Sequence, residues 1–440
     1  MVVEYRAAEQ AIMARGVEWN FDPTLDRIAA LMELLGDPQK AYPVIHVAGT
    51  NGKTSTARMI ESLLRERNLR VGRYTSPHLT SVRERIAVDG EPLSEERFTE
   101  VYQDIEPYLE LIDGKVGRLS FFEVLTAMAF AAFADTPVDV AVIETGMGGT
   151  WDATNVADGT ITVITPISLD HTDYLGPDVA TIAGEKAGII KPGATTVLAQ
   201  QPLDAAEVLM RRVAEVGAVV AREGLEFGVL NRDLALGGQM LGLKGLKGVY
   251  EEVFLPLYGA HQAANAVSAL AAVEALTAGD EPLGDELVRQ AFAQASSPGR
   301  LEIVRRGPTV VLDAAHNPAG MEATVDAVTE AFGFTRLVAV VAVMGDKDVD
   351  ALLELLEPIV EELVVTRNSS PRSMTAGDLT ARAESVFGSD RVHEVERLDD
   401  AIDTAIGLAD QGDEVGSGVL ITGSVVTVGE ARLLLKGEAR

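Results

Sequence analysis

An apolar run, Val44-Ile45-His46-Val47-Ala48, leads into Gly49-Thr50-Asn51-Gly52-Lys53-Thr54-Ser55. Beyond it Ala57, Ile60, Leu63 and Leu64 recur at helical spacing, so the stretch reads as strand, glycine loop and helix. Such a loop lets backbone N–H groups close on a phosphate, and the helix N-terminus adds further unpaired donors. Lys53 supplies a point charge and the Thr54 hydroxyl can reach a Mg²⁺, so the ligand this chemistry wants is a nucleoside triphosphate. The usual spacing puts a first glycine at 47; here that residue is Val47, and Gly49 stands inside a variant loop.

Other polar groups stand where strands are expected to end. Val71 to Thr75 runs into Ser76-Pro77-His78-Leu79 and then Arg83-Glu84-Arg85, which is either a surface turn or a ligand-facing loop. Val138 to Ile143 ends at Glu144, followed by a second glycine-rich loop, Thr145 to Asn155. A carboxylate at such a strand tip is either a Mg²⁺ ligand or a solvent-facing group. Asp152 and Asn155 suit turns for conformational reasons alone. Thr160 to Ile167 leads to Ser168-Leu169-Asp170-His171, and a helix from Asp178 carries Glu185-Lys186, on plain reading an ion pair. His261, Gln262 and Asn265 open an alanine-rich helix, where polar residues are often only caps.

At 440 residues the chain suits two or three domains rather than one core. It has no cysteine, which excludes disulfides and thiolate metal sites and favours a reducing, cytoplasmic setting. No apolar run approaches membrane-spanning length, and the charged start is unlike a signal peptide. The net charge of -30 argues against nucleic acid as a partner. It also means that an anionic ligand must find a local positive patch that the whole-protein field opposes.

Residues 1 to 43 read as a helical lead-in, with further helices over 94–112, 120–134 and 204–216, strands at 195–199 and 218–221, and hairpins near 237–248. Ser296-Ser297-Pro298-Gly299 interrupts a helical pattern ahead of Arg300, and a second βα alternation follows. It comprises strands at 310–312, 337–343, 363–366 and 419–422, with helices from 321, over 349–362 and over 376–387. The fold class expected is α/β: an N-terminal P-loop ATPase-like domain over 1–297 with a mostly parallel sheet, then a smaller Rossmann-like domain over 298–440. Asp313 to Pro318 and Gly345-Asp346-Lys347-Asp348 stand at strand ends of the second domain.

In this order, the 49–53 loop, Ser76 to Leu79, Glu144 with its glycine loop, Asp170-His171, Glu185 to Ile189, His261-Gln262 with Asn265, Arg300 and Asp313 to Pro318 resemble the motif set of folylpolyglutamate synthase and dihydrofolate synthase, relatives of the Mur ligases. The resemblance implies that Gly49, Thr50, Asn51, Gly52, Lys53, Thr54 and Ser55 hold ATP phosphates. It further implies that Ser76, Glu144 and His171 hold two Mg²⁺ ions together with a carbamylated Lys186, with K⁺ a further candidate cation. Asn265 would face adenine, Asp313 the ribose and Arg300 the γ-phosphate, while His316 and Ser424 would receive L-glutamate. Arg83, Arg85 and Asp152 fall in the region implied for dihydropteroate or tetrahydrofolate. The activity implied is ATP-dependent amide formation through an acyl phosphate by a monomer. Family members commonly have Gly-Ser after the loop lysine, whereas this chain has Thr54-Ser55, closer to the Mur ligases proper. That leaves another ligase of the Mur type, with a different acid acceptor, as the alternative. The roughly 48 residues ahead of Gly49 are too few for the UDP-sugar domain of a cell-wall ligase.

Overall fold

The computed structural model describes residues 2–16, 23–411 and 416–437. Its chain forms two compact units, one of residues 1–235, 239–256 and 263–296, the other of 236–238, 257–262 and 297–440.

The first unit is built on an eight-stranded sheet. In chain order its strands are β1 (Val44–Ala48), β2 (Val71–Tyr74), β3 (Ile86–Val88), β4 (Glu91–Pro92), β5 (Val140–Glu144), β6 (Gly159–Ile164), β7 (Thr195–Leu198) and β8 (Val219–Arg222). They lie in the order β4-β3-β2-β5-β1-β6-β7-β8, parallel from β2 to β8 and antiparallel at the β3 and β4 edge. Both faces are covered, so β1 and β5 are buried along their whole length, as a βαβ sheet requires. The register sets Val47 beside Glu144, Ala48 beside Ile164 and Tyr74 beside Ile143. Four strand ends, and the loops that leave them, therefore share one edge.

Helix Lys53–Glu66 packs on this sheet through Ala57, Met59, Ile60, Leu63 and Leu64. Helices Val2–Met13 and Asp26–Leu34 form the expected lead-in, the latter burying Ile28, Leu31 and Met32. A capping box of Ser120 and Glu123 starts helix Phe121–Asp135, and Glu123 also accepts Arg27 Nε at 3.1 Å. The hairpin region forms a small sheet of β9 (Gly228–Ala235), β10 (Gly238–Lys244) and β11 (Val249–Leu255).

The second unit holds β12 (Glu302–Arg305), β13 (Thr309–Leu312), β14 (Arg336–Val341), β15 (Glu362–Val365), β16 (Val392–Glu394) and β17 (Ser417–Thr422). Their order is β12-β13-β17-β14-β15-β16, with only the β12 edge antiparallel. The helix expected over 349–362 ends at Leu356 because Pro358 cannot continue it. No helix among the described residues is long and apolar enough to cross a membrane.

Candidate functional site

Gly49 takes φ +148° and Gly52 φ +87°, conformations that side-chain-bearing residues avoid, and each is also closely covered. A Cβ at Gly49 would overlap the Thr165 hydroxyl, and one at Gly52 would overlap the Asn265 amide oxygen. The strand expected over 160–167 stops at Ile164, and its continuation is spent on the loop. Pro166 has no amide to pair, and its carbonyl accepts Thr50 N at 3.0 Å and Asn51 N at 3.3 Å. The Thr50 hydroxyl exchanges bonds with the Ser168 backbone, both at 3.1 Å. The loop is thus held open by tethers independent of any ligand. Lys53 Nζ donates to the carbonyls of Gly49 and Thr50 at 3.1 Å.

The Thr54 hydroxyl lies 2.9 and 3.0 Å from the two Glu144 oxygens, and Ser76 N reaches the same carboxylate at 3.4 Å. Glu144 is 1 % exposed, so the solvent-facing alternative is excluded. Among the described residues there is no cluster of three or more His, Cys, Asp or Glu side chains able to hold a metal ion. Oxygen donors around one carboxylate, beside a phosphate loop, do fit Mg²⁺, which keeps waters and takes its other ligands from substrate phosphates.

Lys186 is the last residue of helix Val179–Lys186, whose N-cap Asp178 accepts Thr181 N at 2.8 Å. Its Nζ donates to the Gly49 carbonyl at 2.8 Å, so it is no surface partner of Glu185. Burial, and secondly the Lys53 charge, push its pKa down to about 7, against smaller opposing pulls from Asp170 and Asp152. The second glycine loop fits against this segment. Gly149 lies on the Lys186 backbone, Gly188 lies on Thr150, and Thr150 N donates to Glu185 O at 2.9 Å. His171 follows Asp170 with φ +51°, its backbone N 2.8 Å from Asp170 Oδ1.

Asp152 is buried in its own turn, accepting Met147 N at 2.9 Å, Thr154 N at 3.0 Å and the Thr154 hydroxyl. Burial raises its pKa against those donors. Arg83 donates to Leu93 O at 2.8 Å with Tyr5 under its guanidinium, and Arg85 donates to His78 Nδ1 at 2.9 Å over the Phe121 ring. In these positions both arginines brace the loop after β2. In the second unit Asp313 accepts Leu301 N at 3.0 Å, Ala315 N at 2.9 Å and the Thr324 hydroxyl at 2.8 Å. It thereby fixes Leu301, which has φ +46°, next to Arg300. His316 Nδ1 meets the Ala314 carbonyl at 2.9 Å and must donate to it, leaving Nε2 as acceptor in the neutral ring. Ser424 caps helix Val425–Lys436, and Asn368 approaches it at 3.4 Å.

His46 has no role that the sequence pattern alone assigns. It is fully buried in β1, its Nε2 2.8 Å from the Thr154 hydroxyl, and a lone histidine within an apolar strand was the available signal. Burial, with the Lys191 charge adding to it, lowers its pKa to about 3. Between that value and about 6.5 the unfolded chain binds the extra proton, so this residue's contribution to stability is lost as pH falls through that window, by at most about 1.4 kcal/mol per pH unit. His46→Gln is expected to move acid unfolding, followed by circular dichroism, to lower pH. An unchanged or higher acid midpoint would contradict a buried neutral imidazole.

A parallel sheet bearing this loop, joined to a second α/β unit, is compatible with a Mur-type ATP-dependent ligase, and the family matches show the chain to be one. Residues 47–273 match the Mur ligase middle domain and residues 299–425 the Mur ligase glutamate ligase domain. The Mycobacterium tuberculosis dihydrofolate synthase/folylpolyglutamate synthase is 52% identical over 97% of this chain and 93% of that protein. The structure of Mycobacterium tuberculosis folylpolyglutamate synthase complexed with ADP superposes with TM-score 0.95 at 50% identity, covering 100% of both chains. An Escherichia coli relative in complex with DHPP and ADP gives TM-score 0.86 at 30% identity, covering 98% of each chain. The chain belongs to the dihydrofolate synthase/folylpolyglutamate synthase family.

Proposed function

We propose that this chain joins L-glutamate to folates, and to dihydropteroate, by activating the acceptor's carboxylate with ATP. The carrying observation is the Thr54 bond to Glu144, which brings a buried carboxylate from β5 to the mouth of the phosphate loop. The relatives' names and the Escherichia coli complex with DHPP support folates as acceptors over another Mur-type substrate. ADP in the Mycobacterium tuberculosis complex supports ATP as the co-substrate.

Loop amides within 49–55 other than those of Thr50 and Asn51, which the Pro166 carbonyl holds, bind the triphosphate with Lys53, and Asn265, against Gly52, is our candidate for the nucleotide side. Glu144, Ser76 and His171, with Lys186 as its carbamate, would hold Mg²⁺, which supplies charge neutralisation on the phosphate oxygens when bound. A carboxylate oxygen of the acceptor attacks the γ-phosphorus, ADP leaves, and an acyl phosphate results. The glutamate amine attacks its carbonyl carbon and expels phosphate, and the amine's proton goes to a base for which His316 is our candidate. Arg300 and Asp313 carry the γ-phosphate and ribose roles, and Ser424 the glutamate contact. Asp152 belongs to the acceptor side through the loop it shapes. Absence of cysteine and the acidity support a cytoplasmic enzyme that binds no nucleic acid, and we assign it as a monomer.

The test is ADP release with dihydropteroate, tetrahydrofolate or a muramyl acceptor, each with and without L-glutamate. Release that needs both a pterin acceptor and glutamate, with products heavier by one glutamate in mass spectrometry, is expected. Turnover with the muramyl acceptor alone would overturn the assignment.

A further inference from the structure

Residues 54, 58 and 61 of helix Lys53–Glu66 are spaced by four and three and so share one face. The outer two are committed. Thr54 holds Glu144, and Glu61 accepts Arg73 Nε at 2.7 Å and Gly90 N at 3.0 Å in a buried pair. Arg58 stands between them, half-buried, and among the described residues it makes no hydrogen bond and no ion pair.

Its surroundings make that unusual. The carboxylates whose charge reaches Arg58 are Glu61, Glu84 and Glu144. Glu84 is saturated by Leu79 N at 2.9 Å, Thr80 N at 3.0 Å and Ser81 N at 2.9 Å, and the other two are spent as above. Arg73, a second cation, stands close enough to add to the effect of burial, which brings the Arg58 pKa down to about 10. A guanidinium remains charged at neutral pH and carries five N–H donors in a fixed fork. Its nitrogens remain open to water, so an arriving anion can reach them without displacing a protein partner. Arg83 and Arg85, implied by the resemblance to meet the acceptor, also reach Leu93, Tyr5, His78 and Phe121, and Arg83 keeps a buried Nε with no hydrogen bond.

We propose that Arg58 receives the carboxylate of the acid that is activated, holding it beside Glu144 and the loop after β2. The inference rests on the ligase reading above. A planar fork grips both carboxylate oxygens and fixes the direction of attack. In the step it serves, one of those oxygens forms a bond to the γ-phosphorus while the bond from that phosphorus to the bridging oxygen breaks, and ADP leaves with the electron pair. Arg58 transfers no proton. The γ-phosphate offers the same oxyanion chemistry, so the experiment must separate the two sources.

The test compares wild type with Arg58→Met and Arg58→Lys. The expected result for Arg58→Met is an acceptor KM raised about ten- to a hundredfold, an ATP KM within about twofold, and partial recovery in Arg58→Lys. An acceptor analogue with a carboxamide in place of the reacting carboxylate is expected to inhibit wild type and Arg58→Met equally. Acceptor binding by intrinsic fluorescence, which needs no turnover, should weaken by the same factor. An unchanged acceptor KM, a rise confined to ATP, or equal losses for carboxylate and carboxamide would overturn the proposal. Wild type without acceptor-dependent and glutamate-dependent ADP release would instead refute the ligase reading itself.

Discussion

Replacing Lys186 by Met is expected to lower turnover about a thousandfold, the scale of losing a charge-stabilising group at the transferring phosphoryl. With a pKa near 7, a sizeable fraction of the amine is uncharged at neutral pH. That form has the free lone pair needed to take up CO₂ as a carbamate, which converts a cation beside Lys53 into an anionic oxygen ligand. Wild-type activity is therefore expected to fall when bicarbonate is stripped and to return when it is restored, whereas Lys186→Met responds to neither. Stability gives a second readout. Between about 7 and about 10.5 the unfolded chain holds the proton that the folded chain has shed, so wild-type stability declines as pH falls through that window. In bicarbonate-free buffer the advantage of Lys186→Met in denaturant unfolding should be a few kcal/mol larger at pH 7 than at pH 10. Wild-type turnover in the variant would sink the assigned role.

The next largest effect is expected where the second glycine loop meets the Lys186 segment. A Cβ at Gly149 would lie 2.6 Å from Glu185 O and 3.0 Å from Lys186 Cα, and one at Gly188 would lie 2.5 Å from Thr150 Cα. These obstacles are backbone, so a rotamer change cannot relieve them. Gly149→Ala is expected to cost about 1–3 kcal/mol from overpacking. It should also displace Lys186, with about a hundredfold loss of turnover. Gly188→Ala strains the same interface from its other side, so the double variant should lose less than the product of the two single losses. Thermal unfolding and steady-state kinetics on the three variants check this. Full activity in Gly149→Ala would show that the interlock does not position the lysine.

Much of this was legible from residue order. Parallel strands announced themselves as apolar runs; Glu144 closes β5 and Ser76 follows β2 closely at the same edge, whereas Asp170 lies six residues past the end of β6. The phosphate loop could be read because glycine, lysine and threonine each have a separate physical reason to be there. What escaped was whatever depends on partners distant in sequence. Edge strands such as β12 carry too short a pattern to recognise. No spacing rule says that Pro166 turns its carbonyl to the loop. Arg83, Arg85 and Arg58 look alike as letters, and only packing shows that Arg83 and Arg85 donate hydrogen bonds whereas Arg58, among the described residues, makes none. The Thr54-Ser55 departure suggested a different acceptor, but 52% identity to a folate-family relative over nearly the whole chain outweighs the one changed residue, Thr54.

Acyl phosphate formation is tested most directly by isotope transfer. An acceptor whose reacting carboxylate carries ¹⁸O would be turned over with ATP and L-glutamate, and the released phosphate analysed by mass spectrometry. Activation of the carboxylate predicts one ¹⁸O atom in the phosphate for each new amide. Unlabelled phosphate accompanying amide formation would contradict it.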